Sequence, residues 1–210
     1  MISYLFLSEG TSDQSIIPLI NKIILNNYNV TINTIIPNFN SVRPRPSGLT
    51  LKIKAVQKLY ESIDFLVIHR DADSVGRDHR MNEIKSAIAS VSPSFDFVAM
   101  IPVRMTEAWL LVDQAAIIHA MERPTYNKKI IFPPIKKIEK LAYPKNLLLQ
   151  IVQEIADLPK RRKNELNFPR IRKNIGEHIS NYTILKILPA FALFEADLLS
   201  VLDKVNNKDN

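Results

Sequence analysis

The sequence predicts an α/β fold: a parallel sheet of about four strands with helices on both faces, followed by a mainly helical C-terminal extension. Three observations predict it. Short apolar, β-branched runs alternate four times with longer stretches of helical period over the first 123 residues. The runs are almost continuously apolar rather than alternating, as in strands buried on both faces. The segments between them are long enough to carry the chain back to the start of a parallel neighbour by right-handed crossovers.

Ile2 to Leu7 reads as the first strand. Thr11, Ser12 or Asp13 is placed to cap a helix through "QSIIPLINKIILNN", with Pro18 tolerated in its first turns. "VTINTIIP" is β-branched and reads as the second strand. The Pro-rich loop "SVRPRPSG" then leads into a helix through "LTLKIKAVQKLYES", and "DFLVIH" is the third strand. "RMNEIKSAIASV" has helical period, "FDFVAMIPV" reads as the fourth strand, and "TEAWLLVDQAAIIHAM" as one helix capped by Thr106. Within it Trp109 is expected in the core and Asp113 in a local cap or pair. Beyond Arg123 the grammar changes: helical segments around "NLLLQIVQEIA", "FPRIRKNIGEHI" and "FALFEADLLSVLDKV" are punctuated by prolines. This sets a boundary near residue 124, with an α/β domain over 1–123 and a basic, mainly helical region over 124–210.

Composition narrows the function classes. The chain has 210 residues, 46% of them hydrophobic and 23% charged, enough for a sizeable core. No apolar run reaches the roughly 18 residues a membrane span needs, and Met1 leads straight into a strand pattern, so a cytoplasmic protein is expected. Zero cysteines exclude disulfides, zinc–thiolate sites and thiol nucleophiles, and the four histidines do not fall at helical metal-ligand spacing. Any metal site is therefore expected to be mainly oxygen. The net charge of +7 is uneven: residues 124–186 hold 14 Lys and Arg against 5 Asp and Glu, which leaves −2 for the rest. Such a basic segment suits a polyanion, because cationic side chains neutralise phosphates and release condensed counterions. Candidate nucleic-acid contacts are Arg77, the run Lys160, Arg161, Arg162 and Lys163, and Arg170, Arg172 and Lys173.

The acidic residues carry the chemistry. In an open parallel sheet, functional groups collect at the carboxyl ends of the strands. "SEGTSD" puts Glu9 at the end of the first strand, and "HRDADS" puts Asp71 and Asp73 at the end of the third. If those strands are neighbours, three carboxylates converge. Like charges so close raise one another's pKa unless a cation joins them, and Mg²⁺ or Mn²⁺ takes hard oxygen ligands while keeping waters for a phosphate to replace. Gly10 lets the backbone turn tightly beside them. Asp71 is expected to be an exposed loop carboxylate whose removal spares the fold. Glu107, at the start of a helix near the same sheet edge, is a further candidate. Arg70, Arg77, His79, Arg80 and Arg104 lie near the acidic loops in sequence.

These motifs, with "IPVRMTEAWLLVD" after them, resemble the Toprim domain of topoisomerases, primases and OLD-family nucleases, and most of all the small stand-alone bacterial Toprim-like proteins of RloB type. The resemblance covers roughly residues 1–123. It implies Mg²⁺-dependent phosphodiester chemistry in mobile-element defence, a neighbouring ABC- or SMC-type ATPase as partner, Glu9 as the acid after the first strand, and Asp71 and Asp73 as the metal-binding pair. The topoisomerase form has a third acid two positions on, where this chain has Val75; Asp78 is the nearest substitute. No tyrosine argues for topoisomerase chemistry. An aspartyl-phosphate phosphohydrolase is disfavoured because its nucleophile normally ends the first strand. The non-enzymatic alternative is a metal- or nucleotide-binding regulatory subunit of an ATPase complex. DNA or RNA as substrate, and the oligomeric state, stay open.

Overall fold

The computed structural model describes residues 1–60, 62–123, 125–159, 162 and 165–208, Lys208 by its main chain alone. Its centre is a four-stranded, all-parallel sheet in the order β2-β1-β3-β4, built from β1 (Ile2–Leu7), β2 (Ile32–Ile35), β3 (Phe65–His69) and β4 (Asp96–Met100). The register pairs Leu5 with Ile35 on one side of β1, Leu7 with Ile68 on the other, and His69 with Met100. β1 and β3 are thus neighbours. The chain turns to β2 on one side of β1 and to β3 on the other, so the topological switch point lies between the ends that carry the acidic motifs.

Every residue of β1 and β3 is buried, which is what continuous apolar runs require. One face presents Leu5, Leu7, Leu66, Ile68 and Ala99 to α2 (Gly48–Leu59) and α3 (Arg77–Val91). The other presents Tyr4, Phe6, Phe65, Val67, Val98 and Met100 to a larger cluster, in which Tyr4 and Phe65 stack at 5.4 Å across the strands. That cluster draws in α1 (Ile17–Asn27), α4 (Glu107–Leu110) and α5 (Gln114–Ala120). It also includes α6 (Ile135–Ile138), α7 (Pro144–Ala156), α8 (Phe168–His178) and α9 (Pro189–Lys208). The cluster takes residues from both sides of the expected boundary near 124. The C-terminal helices share one core with the sheet, and α9 packs directly on β4. No helix among the described residues is long and apolar enough to cross a membrane.

Two predicted helices differ in detail. The first begins as a 3-10 turn over Thr11–Ile16 and becomes α-helical at Ile17, with Pro18 in its opening turn, where the missing N–H costs nothing. The helix predicted over 106–121 is two, α4 and α5, because the Asp113 carboxylate accepts the Ala116 N–H at 2.9 Å and starts a new helix. Trp109 is fully buried as expected. Its indole N–H donates to Glu139 at 3.1 Å, and the other oxygen of that buried carboxylate accepts the Ala190 N–H at the start of α9.

The 3-10 turn is held from outside by α8. A Cβ on Gly176 would meet the Ser15 carbonyl oxygen at 2.5 Å, so only glycine permits this approach. Lys22 of α1 also donates to the Glu177 and Ile179 carbonyls at the end of α8. Gly176→Ala should destabilise the protein by about 1–3 kcal/mol, since a backbone atom must yield. Chemical denaturation measures this; an unchanged midpoint contradicts the packing.

Candidate active site at the β1 and β3 ends

The acidic loop is an extension of the sheet. Past the end of β3, the Arg70 N–H donates to the Met100 carbonyl at 3.1 Å and the Ala72 N–H to the Pro102 carbonyl at 2.8 Å. The loop therefore continues the β3–β4 ladder before the chain reaches α3. Asp73 adopts a left-handed conformation, φ 47°, which aspartate tolerates better than most residues. Asp73 is exposed, and Asp71 is half-buried.

Alternation along β3 sorts the site into two groups. His69 shares its face with Phe65 and Val67, turned toward the 3-10 turn, and is 1% exposed. Its Nδ1 lies 3.3 Å from Asp13 and its Nε2 3.2 Å from Asp71. These are ion-pair contacts rather than aligned hydrogen bonds. Burial opposes a charge on the ring, but the pull of the two carboxylates outweighs it and pushes His69 up to about 9, so the buried imidazole is a cation at neutral pH. The two acids respond differently. Burial pushes Asp13 upward, yet His69, the Gly10 N–H and the Ser12 hydroxyl together hold it below the usual carboxylate range. Asp71 ends above that range: burial outweighs the pull of His69, and the charges of Asp13 and Asp73 add to it.

On the side of α2 and α3, Arg70 bridges Glu9 and Glu83, the latter at 2.7 Å. Arg80 also pairs with Glu83, at 3.0 Å, and its Nε donates to the Asp71 carbonyl at 2.9 Å. Burial pushes Glu83 upward, but hydrogen bonds and charge from Arg80 and Arg70 bring it below its ordinary value. Beside Arg70 opens a cavity of about 230 Å³ lined by Leu7, Ser8, Glu9, Gly48, Leu49, Lys52, His69 and Arg70.

The predicted site residues therefore divide. Glu9, Asp71 and Asp73 stand at the ends of adjacent strands, but Glu9 is turned onto Arg70 and Asp71 onto His69. Among the described residues no three His, Asp or Glu side chains already converge as a metal-ligand set. The donor chemistry still fits a hard divalent ion, since two oxygen donors share one loop and a third lies on the neighbouring strand end. Asp71 is not the free loop carboxylate expected from sequence, because it is half of the counter-charge of a buried imidazolium. Glu107 is 4% exposed on α4 and pairs with Arg172 of α8, itself 3% exposed, so Glu107 faces a helix interface and not the cavity. Arg172 is thereby removed from the proposed nucleic-acid surface. Its position gave the signal: Phe168, Ile171, Ile175 and Ile179 repeat at helical spacing, and residue 172 lies on that stripe. Arg170 and Lys173 are exposed on the opposite face, Lys173 within 3.8 Å of Glu177. Arg162 is exposed and pairs with Glu165 at 2.9 Å, whereas Lys160, Arg161 and Lys163 lie outside the described residues. Arg77 opens α3 beside Val103 and Leu193.

The sequence names Asp13 only as a helix-cap candidate, and His69, Glu83 and Lys52 not as site residues. For His69 the available signal was a titratable residue closing a buried strand, and for Asp13 its place in "EGTSD" after the first strand.

The imidazolium of His69 should make stability pH-dependent. A raised folded-state value stabilises fully below about pH 6.5, and that contribution disappears as pH rises through about 9. Melts in EDTA across this window should show a loss of order 2 kcal/mol, and His69→Gln should flatten it. An equal alkaline loss in the variant would show that another group is responsible. No family model, curated protein or solved structure matches the chain, so its function is read from the chemistry of this site.

Proposed function

We propose that the protein is a Mg²⁺- or Mn²⁺-dependent nuclease of Toprim-like type, hydrolysing phosphodiester bonds of DNA or RNA in defence against mobile elements. One observation carries this reading: Glu9 and the pair Asp71 and Asp73 stand at the carboxyl ends of two adjacent parallel strands, at the switch point of the sheet. Glu9, Asp71 and Asp73 would hold the ion. When bound, it supplies a Lewis acid for the phosphate and a water of lowered pKa. The protein's own groups hold the reacting loop in place: Arg80 fixes the Asp71 carbonyl, and His69 offsets the charge of Asp71 and holds it at the strand end. Arg70 keeps Glu9 neutralised until a ligand competes for it. The exposed cations of the C-terminal helices, Arg170 and Lys173 among them, would hold the nucleic-acid backbone without reading bases.

A second reading has its own support. A groove of about 520 Å³ is lined by Val103, Ile187 and Leu193, all exposed apolar residues, with Arg77, Lys136 and Lys140 at its edge. Such a surface suits a protein partner, so the chain would then be a metal- or nucleotide-binding subunit of an ABC- or SMC-type ATPase complex.

Purified protein incubated with plasmid and RNA in Mg²⁺ or Mn²⁺ separates the two readings. Asp71→Asn and Asp73→Asn should each lower cleavage by at least about 10²-fold. Asp73→Asn should keep the wild-type melting temperature, whereas Asp71→Asn should lower it, because His69 loses a counter-charge. Intact substrates under every condition, or full activity in both variants, would remove the nuclease assignment.

Neutralising Lys160, Arg161, Arg162 and Lys163 together should weaken nucleic-acid binding and reduce its salt dependence, by about 0.9 log unit per log unit of salt for each duplex phosphate these side chains neutralise. An unchanged salt slope together with failure to co-purify an ATPase would assign that segment to the partner instead.

A further inference from the structure

The cavity between β1, β3 and the start of α2 contains a cation that the fold does not use. Lys52 is half-buried in its wall and has no hydrogen-bond or ion-pair partner among the described residues. The other charged groups there are engaged: Glu9 with Arg70, and His69 with Asp13 and Asp71. Arg70 lines the cavity as well, its guanidinium shared between Glu9 and Glu83. A lysine left unpaired in the wall of a concave site at strand carboxyl ends is free to take an anion. The first turn of α2, a 12-residue helix, lines the same space through Gly48 and Leu49, and no side chain caps its amides. Those amides add donors to a site that Lys52 already defines.

We propose that this cavity binds a phosphate of the nucleic-acid backbone, with Lys52 as its charge partner and Arg70 as a second donor. The proposal rests on the nuclease reading for its choice of ligand. It deepens that reading by placing a neighbouring phosphate on the α2 side of the sheet, beside Arg70. Glu9 lines the cavity as well, so an arriving phosphate competes with Glu9 for Arg70 and frees that carboxylate. Phosphate binding and the release of a metal-ligand candidate would then be one event.

The test is binding without metal. Fluorescence anisotropy in EDTA, with a fluorescein-labelled duplex DNA and a single-stranded RNA, is measured for wild type, Lys52→Gln, Lys52→Arg and Lys54→Ala. The last removes one charge from the exposed face of the same helix. Lys52→Gln should weaken binding of at least one probe roughly tenfold and lower the salt slope by about one phosphate contact. Lys52→Arg should restore most of that affinity, and Lys54→Ala should match wild type. Inorganic phosphate, against chloride of equal ionic strength, should displace the probe from wild type more effectively than from Lys52→Gln. Wild-type protein that binds neither probe, a Lys52→Gln variant that binds like wild type, or an equal weakening in Lys54→Ala would overturn the proposal. Thermal melts of each variant confirm that affinity is compared between folded proteins. Because the assay contains no metal, absence of cleavage in Mg²⁺ would remove the nuclease reading and leave this result standing. Unchanged binding in an active enzyme would remove only the phosphate site.

Discussion

The pairing of β1 with β3 is the constraint on which the rest of the structure depends. Both strands are buried along their whole length, so both faces of the sheet must be covered, and no short appendage could do that. α2 and α3 cover one face. The other recruits α1 and then, across a chain separation of more than a hundred residues, α7, α8 and α9. The same pairing brings Leu7 beside Ile68, so that the residues following each strand emerge together at one edge. Core formation and site assembly are therefore one event, and a disturbance of α8 would reach the site through Gly176 and the 3-10 turn that carries Asp13.

Electrostatics at this edge are compensated internally. Buried His69 carries a charge because two carboxylates flank it, and removal of either would leave the ring a single counter-charge and weaken its hold on the proton. Arg70 and Arg80 perform the corresponding role for Glu9 and Glu83 on the far side. Glu9, Asp13, Asp71 and Glu83 are consequently held, whereas Asp73 is exposed. A divalent ion entering here would compete with arginine for Glu9 and with imidazolium for Asp71.

The buried pair Glu107 and Arg172 shows how charge counting can mislead. Both residues are ionic and lie in segments of functional interest, yet they meet inside a helix–helix interface, where they are hydrogen-bonded and screened from solvent. Breaking such a pair is costly because the remaining charge stays buried, so its importance to the fold says nothing about catalysis. Arg170 and Lys173, two and one positions from Arg172, face solvent because a helix turns about 100° per residue.

The sequence by itself determined the α/β class, the four parallel strands and the acidic strand ends, because burial on both faces writes continuous apolar runs and helices write a 3.6-residue period. The tertiary structure alone decided which groups meet. Asp13 and His69 are 56 positions apart in numbering, and no periodicity links them; they become partners because α1 crosses the face on which Phe65, Val67 and His69 alternate. Lys52 enters the cavity only because α2 runs over the opposite face. Nor could the chain's local pattern tell that its C-terminal third would complete the core, since amphipathic helices of a separate region and of a sheet cover look alike until the face they bury is known. Local sequence encodes the period of each element, whereas contact between elements is set by the global burial of their apolar faces.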